Sequence, residues 1–124
     1  ENKMLFMPVE GTVTQGFNTK ENHLAIDIAV DIGTPIKAAS DGRVLFAEWT
    51  LETGYVIIID HGDMLTTAYK HNSAVLKKQN EFVNAGEIIA LSGNHGTLTT
   101  GPHLHFELWK NGSPIDPAQL FNFQ

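Results

Sequence analysis

Two histidines stand two residues apart near the end of the chain, in the run Gly101-Pro102-His103-Leu104-His105-Phe106-Glu107-Leu108. Polar and apolar residues alternate in this run, which predicts a β-strand with one buried and one polar face. His103 and His105 then project from the same face, with their Cα atoms roughly 6–7 Å apart. That spacing suits one metal ligand beside one catalytic group, so the run indicates metal-assisted chemistry. Glu107 shares the face. A general base is one interpretation of this residue, but we favour an ion pair on the strand or support of a ligand.

A second pair of potential ligands lies far upstream, in His23-Leu24-Ala25-Ile26-Asp27. Zinc accepts imidazole and carboxylate ligands, and three such ligands with one open position are typical of a catalytic zinc site. On a straight strand, the Cα atoms of His23 and Asp27 would lie roughly 13 Å apart, too far to share an ion. Because the alternation over residues 23–30 still predicts a strand, we expect a bend at or just before His23. In the alternative without this bend, Asp27 would form an ion pair or hydrogen bond with a nearby residue, and His23 would be a loop residue that binds no metal.

The other histidines carry weaker signals. His71 ends a predicted strand, and the alternation places it on one face with Leu65, Thr67 and Tyr69. Taken alone, His71 is interpreted as a surface histidine at a strand end. His61 is interpreted as a turn residue. His95 lies in a polar, glycine-rich loop, and the sequence favours neither exposure to solvent nor contact with substrate for this residue.

Composition limits the classes of function. The chain has 124 residues, 42% apolar residues and no cysteine, which predicts one folded domain (residues 1–124) without disulfides, thiolate nucleophiles or cysteine-ligated zinc. The net charge of −6 argues against nucleic acid as a partner, because binding to phosphates requires a basic surface. No apolar run approaches the roughly 18 residues of a membrane helix. The chain starts at Glu1 and shows no signal peptide, so we expect a processed or trimmed product, monomeric by default.

Turn signals separate short stretches of β-type composition. They predict an all-β protein, a compact arrangement of antiparallel sheets that is sandwich-like or barrel-like, with very little helix. The predicted strands are residues 9–17, 23–30, 43–49, 55–60, 64–71, 86–92 and 104–109. Residues 72–76 are the main candidate for helix, and residues 117–120 for a turn. A weak similarity between residues 42–45 and 86–89 suggests a duplicated hairpin.

Three motifs in this order resemble the lysostaphin-like (LytM-type) zinc endopeptidases, which cut peptidoglycan peptides. They are His-x-x-x-Asp at residues 23–27, Tyr-x-His at residues 69–71, and Gly-Pro-His-Leu-His-Phe-Glu at residues 101–107. The resemblance covers a core of about residues 6–120, from Phe6-Met7-Pro8-Val9-Glu10-Gly11 to Pro114-Ile115-Asp116-Pro117. It also includes the strand and turn Val56-Ile57-Ile58-Ile59-Asp60-His61-Gly62-Asp63.

The resemblance implies that His23, Asp27 and His105 bind one Zn²⁺, with His71 and His103 as a catalytic pair that does not bind it. It implies a zinc-activated water, peptide cross-links of peptidoglycan as substrate, and a location outside the cytoplasm. The helical His-Glu-x-x-His motif of other metalloproteases is absent from the sequence, so an imidazole would replace its glutamate base. Which histidine is the base stays open.

Two positions depart from the family pattern. Members often have glycine where this chain has Ala25, and many have leucine where it has Asn72. Both departures concern loop shape and substrate fit rather than the class of reaction.

Two other classes of function are weighed against the enzyme. A non-catalytic LytM-type domain would bind the wall or activate another wall hydrolase, and it predicts eroded site positions, whereas all five are intact here. A lipoyl- or biotinyl-carrier-like domain requires a lysine in a tight hairpin, and Lys70 does not have that setting. The sequence leaves open whether a glycine bridge or a direct D-amino-acid link is cut.

Overall fold

The computed structural model describes residues 5–94 and 101–123, and within them it is an all-β fold with one short 3₁₀ helix. The elements are β1 (Thr12–Gln15), β2 (Ile26–Ala29), β3 (Pro35–Lys37), β4 (Gly42–Thr50), β5 (Gly54–Asp60), β6 (Leu65–Val75), β7 (Phe82–Val83), β8 (Ile88–Ser92), β9 (His103–Lys110), β10 (Ser113–Ile115) and the 3₁₀ helix Pro117–Gln119. The predicted all-β class is confirmed.

An antiparallel sheet in the order β1-β2-β9-β6-β5-β4-β7 forms the centre of the fold. Strand β10 continues from β9 as a hairpin, and β3 pairs with β8. Strand β6 pairs with β5 along one edge, and its other edge has two partners in turn, because residues 65–70 pair with β9 and residues 72–75 pair with β8. The change of partner at residue 71 connects the main sheet to the β3–β8 pair.

The main sheet has a core face and an open face. Along β9, the side chains of Leu104, Phe106 and Leu108 are fully buried, as the alternation predicts for one side of a strand. They pack in one apolar core with residues of β3, β5, β6 and β8, including Ile36, Ile57, Ile59, Tyr69, Ile89 and Ala90. The intervening residues of β9, from His103 to Trp109, lie on the opposite side, which we call the open face.

Two stretches differ from the prediction. Residues 72–76 were predicted as helix, but residues 72–75 are the end of β6, because pairing of Asn72 with Ser92 and of Val75 with Ala90 overrides a weak local signal. The predicted strand 23–30 is limited to Ile26–Ala29. The remaining predicted strands are present with shifted bounds.

The predicted turns have the expected backbone. Asn111 and Gly112 connect β9 to β10 with φ angles of 53° and 80°, as a two-residue hairpin of type I′ requires. The two glycines of the weak repeat differ in backbone conformation. Gly86 occupies a turn with φ of 82°, whereas Gly42 has no positive φ and already begins β4.

Within residues 5–94 and 101–123, no helix has the length and apolar character needed to cross a bilayer.

Candidate metal centre

A tight turn places His23 beside Asp27. Asn18 and His23 exchange backbone hydrogen bonds of 2.8 and 2.9 Å, and Asn22 closes the turn between them with φ of 56°. The chain bends again at Ala25 before entering β2. His23 Nε2 consequently lies 3.1 Å from Asp27 Oδ2. The bend expected before His23 is present, and the second bend at Ala25 explains why the strand starts only at Ile26.

Strand pairing places His105 at the same point. Asp27 of β2 is directly opposite His105 of β9 in the antiparallel register, and His105 Nδ1 lies 3.0 Å from Asp27 Oδ1. The sequence could not show this proximity, because the two residues are 78 positions apart. His23, Asp27 and His105 each offer one ligand atom, and these atoms lie within 4.8 Å of one another.

The donor set fits a zinc ion. Each imidazole lies 3.0–3.1 Å from a different oxygen of the Asp27 carboxylate, and imidazole and carboxylate are both common zinc ligands. The other nitrogen of each ring donates away from the centre: His23 Nδ1–H to Gly16 O at 2.9 Å, and His105 Nε2–H to Glu107 Oε2 at 2.9 Å. Such bonds fix the tautomer that leaves a lone pair directed at a metal.

Glu107 completes the surroundings of His105. Its carboxylate accepts from His105, from Lys70 Nζ at 2.8 Å and from Trp109 Nε1 at 2.9 Å. Burial alone would raise the pKa of Glu107, but these three donors outweigh burial and lower the pKa to about 2. Glu107 is therefore ionised at any working pH, and the expected ion pair is confirmed with Lys70 as the partner.

The charges of Asp27 and His105 stabilise each other. Burial is the largest single effect and opposes ionisation of both groups. The hydrogen bond between them, the hydrogen bond of His105 to Glu107 and the surrounding opposite charges together outweigh burial, so the pKa of Asp27 is lowered and that of His105 is raised. Without a metal, Asp27 and His105 form an ion pair. A bound cation would replace the proton on His105 as the partner of the Asp27 carboxylate.

His71 and His103 lie at the edge of the same pocket. The His71 ring centre is 5.0 Å from that of His103 and 5.6 Å from that of His105. His103 Nδ1–H donates to Gly101 O at 2.8 Å, and its Nε2 lies 3.8 Å from Asp27 Oδ2. The pocket has a volume of about 340 Å³ and is lined by Gln15, His23, Asp27, Glu52, Thr53, Lys70, His71, His103 and His105. All five predicted site residues therefore meet in one place.

A β-bulge carries His71 to the open face, which corrects the sequence prediction. Alternation placed His71 with Thr67 and Tyr69, but those two side chains are in the core. Between β5 and β6, the pair Ile57–Tyr69 is followed by Tyr55–Asn72, so β6 has one residue more than β5. His71 takes the left-handed region with φ of 71°, and the alternation of side chains is broken at this residue.

Asn72 supports the bulge from inside the protein. Its side chain is fully buried, and Nδ2 donates to Tyr69 O at 2.9 Å and to Tyr55 O at 3.1 Å. Among the described residues, Asn72 Oδ1 is the buried side-chain atom that has no hydrogen-bond partner. The amide thus joins both strands at the bulge, although its acceptor oxygen stays unsatisfied.

His61 is more than the turn residue that was predicted. The turn is present, because His61 N donates to Leu65 O at 2.9 Å, but the ring is buried. Its Nδ1–H donates to Asp41 O, and its Nε2 accepts from Thr67 Oγ1, both at 2.7 Å. Tyr69 continues the chain of hydrogen bonds to Thr67 at 2.7 Å. His61 therefore has a structural role. His95 lies outside the described residues.

Sequence reasoning missed four residues of the pocket. Lys70 faces His105 across the β6–β9 pairing, and strand alternation alone could have placed it on the open face. Gln15, Glu52 and Thr53 come from the edges of β1 and the β4–β5 hairpin, and no pattern in the sequence distinguishes them from other surface residues.

The chain is similar in sequence to known proteins. Residues 21–117 match the sequence profile of peptidase family M23. The chain is 40% identical over 94 residues to the peptidoglycan DD-endopeptidase ShyA of Vibrio cholerae, covering 76% of this chain and 22% of that protein. It is also 40% identical over 114 residues to the murein hydrolase activator NlpD of Escherichia coli, covering 90% and 30% respectively. The chain thus spans less than a third of these relatives.

Solved structures show the same fold. A zinc-containing peptidase from Vibrio cholerae superposes with a TM-score of 0.89 and 32% identity, covering 100% of this chain and 41% of that chain. The catalytic domain of lysostaphin, an antimicrobial peptidase from Staphylococcus simulans, superposes with a TM-score of 0.74 and 34% identity, covering 89% and 86%. The chain belongs to peptidase family M23, with the lysostaphin-like (LytM-type) metallopeptidases.

Proposed function

We propose that the chain is a zinc-dependent endopeptidase that hydrolyses peptide cross-links of bacterial peptidoglycan. In this proposal, His23, Asp27 and His105 bind the zinc ion, and His71 and His103 are the catalytic pair. The observation that carries the proposal is the convergence of these five residues, drawn from three separate segments, on one pocket. Three donors spaced for one ion beside two further imidazoles are the groups that a hydrolytic metal site needs.

The catalytic roles follow from the positions of the two imidazoles. When bound, zinc would supply a Lewis acid that polarises the scissile carbonyl and lowers the pKa of a water ligand. His103 donates Nδ1–H to Gly101 O, so its Nε2 keeps a lone pair that can accept a proton. The His71 ring lies 5.0 Å away across the same space. One imidazole can then take the proton of the attacking water while the other stabilises the oxyanion or protonates the leaving amine.

The substrate class and location are supported by similarity. ShyA and ShyB, 40% and 35% identical to this chain, are peptidoglycan DD-endopeptidases, and lysostaphin is an antimicrobial peptidase. Peptidoglycan lies outside the cytoplasmic membrane, so the proposed substrate requires a location in the periplasm, the envelope or the medium.

A second candidate function is activation of another wall hydrolase. It is favoured by the similarity to NlpD, a murein hydrolase activator, over 90% of this chain. An activator would not need its metal ligands and catalytic imidazoles, yet all five are present here in one pocket. We therefore favour the enzyme.

Digestion of purified cell walls tests the proposal. Zinc-loaded protein is incubated with walls that contain glycine bridges and with walls that contain direct cross-links, and the fragments are analysed by mass spectrometry. His103→Ala is the control. New amino and carboxyl ends that are absent from the control are expected in one wall type and identify the bond. Absence of cleavage despite one bound zinc per chain would overturn the enzyme and favour the activator.

A further inference from the structure

A second concavity on the open face begins where the metal pocket ends. Its volume is about 720 Å³, and its apolar lining comprises Leu45, Ile58, Met64, Ala68 and Trp109. We call this concavity the trough. A volume of this size falls within the range of small-molecule and peptide sites. The trough is larger than the metal pocket, and the proposed chemistry makes no use of it.

Strand register makes the trough continuous with the metal centre. On β9, Glu107 and Trp109 follow His105 on the same face, and their partners on β6 are Ala68 and Thr66. The Lys70–Glu107 ion pair lines the near end of the trough, and Glu107 also contacts His105. A chain bound at the metal centre and running parallel to β9 would therefore enter the trough directly.

The lining is apolar on the sides and acidic at the far end. Leu45 and Met64 are 39% and 66% exposed and line the same concavity as the Trp109 indole ring. The Trp109 ring is fixed by donation from Nε1 to Glu107 Oε1. Asp60 lines the far part, and its Oδ1 accepts from Gly62 N–H at 2.9 Å, which holds the carboxylate in place.

We propose that the trough binds one arm of the peptide substrate in extended form. Small apolar side chains of the arm pack on Ile58, Ala68 and Trp109, and an amino-bearing side chain reaches the Asp60 carboxylate. Strand β9 advances roughly 13 Å from His105 to Trp109, which is the length of about four extended residues. The occupant is thus a segment of about four residues adjacent to the scissile bond. This inference rests on the proposed endopeptidase function.

Binding of the isolated arm tests the trough without any catalysis. The probe is the blocked tetrapeptide Ala-Ala-Lys-Ala, prepared from L- and from D-amino acids, titrated into the 124-residue protein and followed by NMR. We expect saturable binding of one form that weakens at least about tenfold in Trp109→Ala. Asp60→Asn, which can keep the hydrogen bond to Gly62, should weaken binding of this peptide but not of its acetyl-lysine counterpart. Trp49→Ala is the matched control, because Trp49 is 51% exposed and does not line the trough.

Cleavage of short and long substrates separates the two proposals. For a substrate with four residues on the trough side, Asp60→Asn should raise KM about tenfold with kcat retained, and a substrate truncated there should show no difference. Trp109→Ala also removes a donor to Glu107, so its KM is compared with that of the wild type at full zinc loading, where the long substrate should show the same increase. If all variants cleave the long substrate like Trp49→Ala, and the tetrapeptides do not bind, the trough proposal is wrong while the endopeptidase stands. If the tetrapeptide binds in the trough but no peptide is cut, the endopeptidase fails and the binding site stands.

Discussion

Lys70 and His71 are consecutive residues of β6, and both side chains line the metal pocket. In a regular strand, neighbouring side chains point to opposite faces. The exception arises because β6 has an extra residue opposite β5 and His71 adopts φ of 71°. The bulge is thus the feature that places the His71 imidazole in the pocket beside that of His103.

Asn72→Leu, which introduces the residue common in the family, should change activity more than stability. The change removes two hydrogen bonds, to Tyr55 O and Tyr69 O, but it also removes the unsatisfied Oδ1. These effects oppose each other, each at about 1–3 kcal/mol, so we expect a small net change in the free energy of unfolding. If Asn72 positions His71, kcat should fall about tenfold with KM and zinc content retained. A loss of stability that matches the loss of activity, or unchanged kcat, would contradict a positioning role.

His105→Ala should abolish zinc binding. It removes the ligand atom that lies closest to Asp27 Oδ1, at 3.0 Å, and leaves two ligands, too few for a catalytic site. Zinc content of the purified protein, measured by mass spectrometry, checks this result. His103→Ala is the matched control, because it removes an imidazole two residues away that we do not expect to bind the metal. Equal zinc loss in both variants would show that the ligand set is wrong.

His71→Ala should keep the zinc and lose catalytic rate. The ring lies 5.6 Å from that of His105 and is not part of the His23–Asp27–His105 cluster. Removal of a general acid–base group typically costs roughly 10²-fold or more in rate. Steady-state cleavage of a wall peptide by zinc-loaded protein measures the effect. Full activity would exclude a catalytic role for His71.

Glu107→Gln should weaken zinc binding while leaving the three ligands in place. The carboxylate accepts from His105 Nε2, and loss of such a partner typically reduces metal affinity by about 10–100-fold. Competition with a chelator of known affinity measures this change. Glu87→Gln is a suitable control, since Glu87 pairs with Lys77 away from the site. Similar affinities for the two variants would exclude support of His105 by Glu107.

Tyr69→Phe should change how stability depends on pH under alkaline conditions. Burial raises the pKa of Tyr69 from 10.0 to about 12, although hydrogen bonds with Thr67 and Ala39 oppose the shift. A raised pKa means that the fold favours the neutral phenol. This contribution is complete below pH 10.0 and is lost as the pH rises towards about 12.

Urea unfolding between roughly pH 7 and pH 12 tests this dependence. Tyr69→Phe should be less stable near neutrality by about 1–3 kcal/mol, because the buried Ala39 N–H loses its acceptor. Above pH 10 its stability should fall less steeply than that of the wild type. If the stability of Tyr69→Phe falls as steeply above pH 10 as that of the wild type, the raised pKa of Tyr69 is not the cause of the alkaline loss of stability.

The sequence alone determined the all-β class and the five residues that meet in the pocket. Strand alternation is local, so it was sufficient to separate His103, His105 and Glu107 from the buried Leu104, Phe106 and Leu108. Turn chemistry is local too, and Asn111-Gly112 gave the expected hairpin. The order of the three motifs resembles that of a known family, and this resemblance grouped the five residues into one site. Strand alternation and turn chemistry could not do so, because they relate only residues that are close in the sequence.

Only the tertiary structure decided how the site is held together. The β2–β9 register places Asp27 opposite His105, and pairing energies between distant segments set that register. The bulge at His71 lies where β6 has one residue more than β5 and where the partner on its other edge changes from β9 to β8, so strand alternation could not predict it. The trough has the same origin, because its lining comes from β4, β5, β6 and β9 together. Local patterns specify which face a residue prefers, whereas non-local pairing specifies which residues become neighbours.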